Sequence, residues 1–184
     1  MIPTTQDVFG WTLRDAALDT KPAEAEIIYV ARQDTGRRRV TNEVEAISMM
    51  VAEGVKVIAQ GDHSVREQIN LFAKADGIIG PHGAGLTNVA FCRPGTICYE
   101  LIPSAYVNPC FARLAQAGGL EYWADRYETS SPEDNAFSNA AGAFDLGLLQ
   151  SRLRDMKARL AKSAHKAKPR VYFTGLFSAW PDSP

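Results

Sequence analysis

The sequence has 184 residues, a formal net charge of −1 at pH 7 and a hydrophobic fraction of 46%. This length suffices for one domain with a buried core, and the near-neutral charge argues against nucleic acid as a partner. No apolar run approaches the roughly 20 residues of a membrane helix, and the start lacks a signal-peptide pattern. Three cysteines without Cys-x-x-Cys spacing favour buried, reduced thiols. We therefore expect a cytoplasmic globular protein without a transmembrane segment.

The chain begins with a predicted amphipathic helix and linker, residues 1–25, followed by an apolar run of strand length at residues 26–31. Asn42 is suited to cap the next helix, with Glu45 three residues further on, and Gly54 to end it. The pattern predicts that one face of this helix is buried, formed by Val44, Ile47, Met50 and Val51.

The strand-then-helix unit then repeats. Further strands are predicted at residues 55–59, 76–80, 96–101 and 120–127. Ser64 and Glu67 form a capping box for the second helix, whose predicted buried face consists of Val65, Ile69, Phe72 and Ala73. Shorter helices are predicted at residues 86–91 and 109–116. This alternation predicts an α/β, Rossmann-like fold, with a parallel sheet of about five strands and helices on both faces.

The C-terminal part begins with a polar loop, residues 128–142. A long helix follows, with an apolar stripe formed by Leu146, Leu149, Leu153, Met156 and Leu160. We expect the stripe to pack on the same domain, with helix self-pairing as the alternative. The outer face of the helix is basic, which is typical of a solvated surface and less often marks a binding patch. The predicted domain spans residues 26–163, and we expect the aromatic tail, residues 164–184, to dock on this domain or on a missing part.

The glycine-rich turn at residues 80–88 carries the most chemical information. It leaves the carboxyl end of a predicted strand, the edge at which open α/β sheets bind ligands. Gly83 and Gly85 allow the backbone to approach a ligand closely. The free N–H groups of Leu86, Thr87 and Asn88, at the start of a helix, suit a phosphate. The alternative is that the glycines only permit tight packing of a strand-to-helix turn.

Two further features belong to the same sheet edge. Arg32 follows the first strand, and Arg38 and Arg39 lie in its loop, where guanidinium groups hold phosphate oxygens in bidentate geometry. Glu100 lies in the apolar fourth strand and needs a polar partner. That partner is either one of the arginines, in an ordinary salt bridge, or the hydroxyl groups of a ribose.

Other kinds of site find less support in the sequence. The acids and the three histidines have no recognisable metal-ligand spacing, so no cofactor is expected. The turn resembles a dinucleotide fingerprint only in part, because Asn88 replaces its third glycine and because it follows the third strand. A dinucleotide enzyme therefore remains a minor alternative.

A set of motifs in one order and spacing resembles glycosyltransferase family 61. They are Tyr-Val-Ala-Arg-Gln-Asp at residues 29–34, Arg-Arg-Val-Thr-Asn-Glu at 38–43, the Ser-x-x-Glu-Gln-Ile segment at 64–69, Gly-Pro-His-Gly-Ala-Gly-Leu-Thr-Asn at 80–88, Pro-Gly at 94–95 and Glu-Leu at 100–101. The family includes plant xylosyl- and arabinosyltransferases, animal N-acetylglucosaminyltransferases and bacterial capsule-synthesis proteins. The resemblance covers about residues 26–127.

The resemblance implies a GT-B-type fold and inverting transfer from a nucleotide sugar, usually a uridine diphosphate sugar, to a glycan or capsular polysaccharide acceptor. It also implies catalysis without an essential metal. His82, in the same turn, is the candidate catalytic residue, because it can donate to a phosphate oxygen or lie near the reacting centre. By position, the nucleotide-sugar site consists of Arg32, Arg38, Arg39, Asn42, Gly83, Ala84, Gly85, Leu86, Thr87, Asn88 and Glu100. Arginines and a helix dipole would then stabilise the leaving diphosphate.

The sequence departs from the family pattern in one respect. Only about 25 residues precede the first strand, where the family has an acceptor-side lobe, and Gln33 stands where a basic residue is usual. We therefore expect a partner lobe, missing or separate, and a chain that is a fragment, a truncated product or one part of a split enzyme. The alternative to an enzyme is a nucleotide-sugar-binding module without independent catalysis.

Overall fold

Five parallel strands form a single sheet in the order β2-β1-β3-β4-β5. The computed structural model describes residues 25–32, 40–129 and 141–164. The strands are β1 (Ile27–Val30), β2 (Lys56–Ile58), β3 (Gly77–Pro81), β4 (Ile97–Pro103) and β5 (Glu121–Tyr127). The predicted parallel α/β sheet is therefore confirmed. Predictions about the N-terminal helix, the arginine loop and the C-terminal tail lie outside the described residues.

Helices connect the strands and cover both faces of the sheet. The α-helices are α1 (Glu43–Ala52), α2 (Val65–Lys74), α3 (Cys110–Ala117) and α4 (Leu146–Ala164), and the 3-10 helices are Gln60–Asp62 and Ala84–Phe91. The apolar side chains of α1 and α4 pack on one face, and those of α2, α3 and the longer 3-10 helix on the other. No helix within the described ranges is both long and apolar enough to cross a membrane.

The apolar stripe of α4 packs on the sheet, as the sequence predicts. Leu149, Leu153, Met156 and Leu160 are buried, and Leu146 is partly buried. Part of the basic outer face of this helix is also used within the domain. Its ion pairs join Arg152 to Asp125, Lys157 to Glu53 and Arg159 to Glu121. These three cations are therefore paired within the domain while their side chains remain partly exposed.

The predicted buried face of α1 is wrong in part. Val44 and Val51 are 64% and 56% exposed, and α1 instead buries Glu43, Ala46 and Met50. In this rotation of the helix, the Glu43 side chain is buried and accepts a hydrogen bond from the hydroxyl of Tyr29.

Two further predictions about helix ends need correction. Asn42 makes no side-chain cap; its amide nitrogen donates to the carbonyl of Phe144, and its Oδ1 accepts from the Phe144 N–H. Asn42 thus joins α1 to the segment before α4. Val65 is exposed because it is the first residue of α2, which packs through its later residues Ile69 and Phe72.

The pair between Asp125 and Arg152 provides a test of how α4 is held. Asp125 accepts two hydrogen bonds from the Arg152 guanidinium, at 2.7 and 3.1 Å, and one from Tyr99 at 2.9 Å. The bond from Arg152 lowers the pKa of Asp125. Replacing Asp125→Asn is expected to lower the free energy of unfolding at pH 7 by about 1–2 kcal/mol.

The pH dependence of this effect follows from the lowered pKa. The stabilisation from the Asp125 carboxylate is fully present above its unfolded-state pKa, near 3.9, and is lost as pH falls through the lower folded-state value. Urea unfolding of the parent and of Asp125→Asn at pH 7 and at pH 3 measures the loss in unfolding free energy and its decrease on acidification. Asp62→Asn, which changes an exposed aspartate, is the matched control. A difference between the variant and the parent that does not shrink on acidification would contradict this role.

Candidate functional site

The site residues meet at a topological switch point. Strands β2 and β3 lie on opposite sides of β1, so the connections after β1 and β3 leave in opposite directions and open a crevice at their carboxyl ends. Arg32 lies two residues after β1, and His82 directly follows β3. The fold therefore brings together the arginine and the turn that the sequence analysis placed at one sheet edge.

Arg32 lies against the glycine turn. Its Nη1 donates to the His82 carbonyl at 2.7 Å, and a Cβ added at Gly83 would stand 1.9 Å from this same nitrogen. A Cβ at Gly85 would meet the Val30 side chain at 2.9 Å and the Gln60 side chain at 3.2 Å. Both glycines therefore make room for side chains of this chain, and the close approach of a ligand to their backbone stays a prediction.

The helix after the turn begins earlier than predicted and is a 3-10 helix from Ala84. The Leu86 N–H donates to the Gly83 carbonyl at 2.9 Å, and the Leu86 side chain is buried in the core. Leu86 is thus a packing residue, contrary to the expectation of a free N–H. The N–H groups ahead of the first helical hydrogen bond are those of Ala84 and Gly85. The side chains of Ala84 and Thr87, in the first turn of this helix, are exposed.

Side-chain amides hold the turn in place. Gln60 Nε2 donates to the Gly85 carbonyl at 2.6 Å, and Asn88 Nδ2 donates to Gln68 Oε1 at 2.8 Å. Gln68 in turn donates to the carbonyls of Gln60 and His63, each at 3.0 Å. The Asn88 amide therefore supports the turn. No sequence signal marked Gln60, because its partner lies 25 residues away.

A buried polar triad lies behind the turn. His82 Nδ1 bonds with Glu100 Oε1, and the Tyr122 hydroxyl donates to Glu100 Oε2 at 2.5 Å. Glu100 has no exposed surface, and His82 is 5% exposed. A carboxylate at Nδ1 fixes that nitrogen as the one carrying a proton, which leaves Nε2 as the ring nitrogen available to a substrate.

The surroundings of the triad are largely apolar. The His82 ring meets the rings of Tyr106 and Phe111 edge-on, with 5.1 Å between centroids. Burial, and then the charge of Glu100, raise the pKa of the Cys98 thiol to about 12. Burial and the hydrogen bond to Glu100 also raise the pKa of Tyr122 well above its usual value. Tyr122 is therefore a neutral hydroxyl donor, and Cys98 an unreactive thiol.

Both sequence-based interpretations of Glu100 need revision. Its described partners are His82 and Tyr122, not an arginine, and the carboxylate has no surface to offer a ribose. The sequence could not identify Tyr122, which comes from the neighbouring strand. In this arrangement Glu100 holds the His82 ring through a hydrogen bond at Nδ1.

The remaining predicted residues are not part of this cluster as described. Arg38 and Arg39 lie outside the described residues. Asn42 is engaged with Phe144, as given above. Within residues 25–32, 40–129 and 141–164, no three His, Cys, Asp or Glu side chains are grouped so that they could hold a metal ion.

Comparison with known proteins gives consistent matches. The family described as "Glycosyltransferase 61" matches residues 7–99, just over half of the chain. A β-1,2-xylosyltransferase of Arabidopsis thaliana is 37% identical over 73 residues, which is 40% of this chain and 14% of the relative. The β-1,2-xylosyltransferase RCN11 of Oryza sativa subsp. japonica is 32% identical over 130 residues, 61% of this chain and 24% of the relative. The matches thus span less than a quarter of either relative.

Proposed function

This chain belongs to glycosyltransferase family 61, and we propose that it supplies the donor-binding part of an enzyme that transfers a sugar from a nucleotide sugar to a glycan acceptor. The observation that carries the proposal is the position of Arg32 and the glycine turn. They form one contact at the switch point of the parallel sheet, where α/β folds bind nucleotides. A uridine diphosphate sugar is the proposed donor, and its xylose form is the first to test, because both relatives are named as xylosyltransferases.

The diphosphate is proposed to lie at the start of the 3-10 helix. The N–H groups of Ala84 and Gly85 precede its first hydrogen bond, and such groups bind anions. The Arg32 guanidinium, held on the His82 carbonyl, supplies positive charge at the same place. These donors take the role that a bound cation plays in other phosphate sites.

The proposed reaction is a single inverting displacement. The acceptor oxygen forms a bond to the anomeric carbon while the bond from that carbon to the diphosphate oxygen breaks, and the electron pair leaves with the diphosphate. The acceptor hydroxyl proton passes to a base contributed by the acceptor side. When both ring nitrogens of His82 carry a proton, Nε2 donates to the departing phosphate oxygen, and Glu100 at Nδ1 balances the charge of the ring.

An anion site built from arginine and backbone donors makes a prediction about metal and salt. Binding of uridine diphosphate, measured by calorimetry, is expected to persist in a chelator and to weaken as sodium chloride is added, because salt screens ionic contacts. Arg32→Ala is expected to weaken binding by about 10- to 150-fold. Arg66→Ala, an exposed arginine on α2, is the matched control and should bind like the parent.

Three results would decide against this proposal in different ways. Loss of binding in the chelator would indicate a metal site. Binding of a nicotinamide dinucleotide, seen by its fluorescence, in place of uridine diphosphate would indicate a dinucleotide enzyme. Turnover by the chain alone, at roughly 1 per second or more, would show that no further acceptor-side component is needed.

A further inference from the structure

Glu43 is a buried carboxylate that the proposed reaction does not use. It begins α1, and its side chain is 5% exposed. A carboxylate removed from water is costly unless hydrogen-bond donors satisfy it, although the first turn of a helix favours negative charge. The partners of Glu43 therefore indicate why an acid occupies this position.

Glu43 Oε1 accepts two hydrogen bonds from the segment around the end of β1. One comes from the Tyr29 hydroxyl and one from the backbone N–H of Arg32, each at 2.8 Å. Burial, and then the charge of Glu43, raise the pKa of Tyr29 well above its usual value. The phenol therefore stays protonated and keeps the carboxylate in place.

The bond to the Arg32 backbone holds this residue just beyond the end of β1. The pairing of β1 ends at Val30, and the Ala31 N–H still donates to the Ile58 carbonyl of β2 at 2.9 Å. The next N–H, that of Arg32, donates to Glu43. The Arg32 side chain extends from this position to the His82 carbonyl and lies against Gly83.

We propose that Glu43 is a positioning residue for the donor site, acting through the Arg32 backbone to hold the guanidinium beside the glycine turn. This inference rests on the proposed function where it concerns the diphosphate. Glu43 itself has no proposed contact with the ligand, because its carboxylate is buried and bonded to the Tyr29 hydroxyl and the Arg32 N–H. The arginine that binds the diphosphate in this proposal follows β1, whereas the acid that positions it begins α1.

Calorimetry of uridine diphosphate binding tests this role with two variants and a control. Glu43→Leu, which removes the acceptor, is expected to weaken binding about tenfold. Glu43→Gln keeps an acceptor oxygen and is expected to stay within about threefold of the parent. The matched control is Glu45→Gln, an exposed acid on the same helix, which should bind like the parent. A Glu43→Leu variant that folds and binds like the parent would overturn the proposal.

A double variant separates positioning from general support of the fold. If Glu43 acts through Arg32, then adding Glu43→Leu to Arg32→Ala should weaken binding by less than about twofold more. Fully additive losses would show that Glu43 acts by another route and would overturn the proposal.

Nuclear magnetic resonance provides a reading that needs no ligand. In Glu43→Leu, the amide resonances of Arg32 and Gly83 should both move, and in Glu43→Gln and Glu45→Gln the Gly83 resonance should stay close to that of the parent. A Gly83 resonance that does not move in folded Glu43→Leu would overturn the positioning role. If the parent chain fails to bind uridine diphosphate, the proposed function is wrong, and these resonances still decide whether Glu43 holds Arg32 against the turn.

Discussion

Replacing Glu100→Ala is expected to lower the free energy of unfolding by about 2–6 kcal/mol, because it leaves two buried donors unsatisfied at about 1–3 kcal/mol each. His82 Nδ1 and the Tyr122 hydroxyl both depend on this carboxylate, and Glu100 has no contact with solvent. Urea unfolding followed by circular dichroism measures the loss. Glu100→Gln preserves the shape and an acceptor oxygen, so its loss should be clearly smaller.

Two controls make this prediction specific to the triad. Glu45→Ala removes an exposed acid and should change stability by less than about 0.5 kcal/mol. In a double-mutant cycle, the losses in unfolding free energy caused by His82→Ala and Glu100→Ala should be strongly non-additive. Either change alone already breaks the hydrogen bond between the two side chains. A loss below about 1 kcal/mol for Glu100→Ala, or full additivity, would show that the triad is not a coupled unit.

Replacing Gly83→Ala is expected to weaken uridine diphosphate binding by about 10- to 150-fold, the equivalent of one lost charged hydrogen bond. The added Cβ would stand 1.9 Å from Arg32 Nη1, so the guanidinium must leave its place on the His82 carbonyl. Backbone strain is not the cause, because Gly83 has φ 169°, an extended conformation that any residue adopts. Calorimetry on the folded variant measures the effect.

The matched control is Gly147→Ala on the exposed side of α4. There an added Cβ meets only an aspartate side chain at 3.3 Å, and alanine is the better helix former by up to about 1 kcal/mol. This variant should bind like the parent and unfold at the same or a higher urea concentration. If Gly83→Ala also binds like the parent, Arg32 does not hold the diphosphate from its present position.

The sequence by itself determined the order and type of the elements. Short apolar runs separated by capped amphipathic segments predicted all five strands within one or two residues at each end. The capping box of Ser64 and Glu67 is present as predicted. These features depend on neighbours a few residues apart, and local hydrogen bonding and side-chain periodicity are therefore enough to specify them.

The strand pattern also placed the glycine turn and Arg32 correctly at one sheet edge. A residue type at a strand end is informative because parallel strands present all their carboxyl ends on the same side. The sequence could not reveal what the glycines accommodate. The position that a Gly83 side chain would take is occupied by the guanidinium of Arg32. Arg32 lies 51 residues earlier in the sequence, after a different strand, and only folding brings the two residues together.

Tertiary structure alone decided which polar groups pair. Glu100 meets Tyr122 because β4 and β5 are neighbours in the sheet. Glu43 reaches Arg32 because α1 turns Glu43 inward and leaves Val44 exposed. A buried carboxylate is placed wherever donors can satisfy it, and those donors lie 11 to 22 residues away in the chain. Such pairings depend on strand order and helix rotation, which hydrophobic periodicity does not specify.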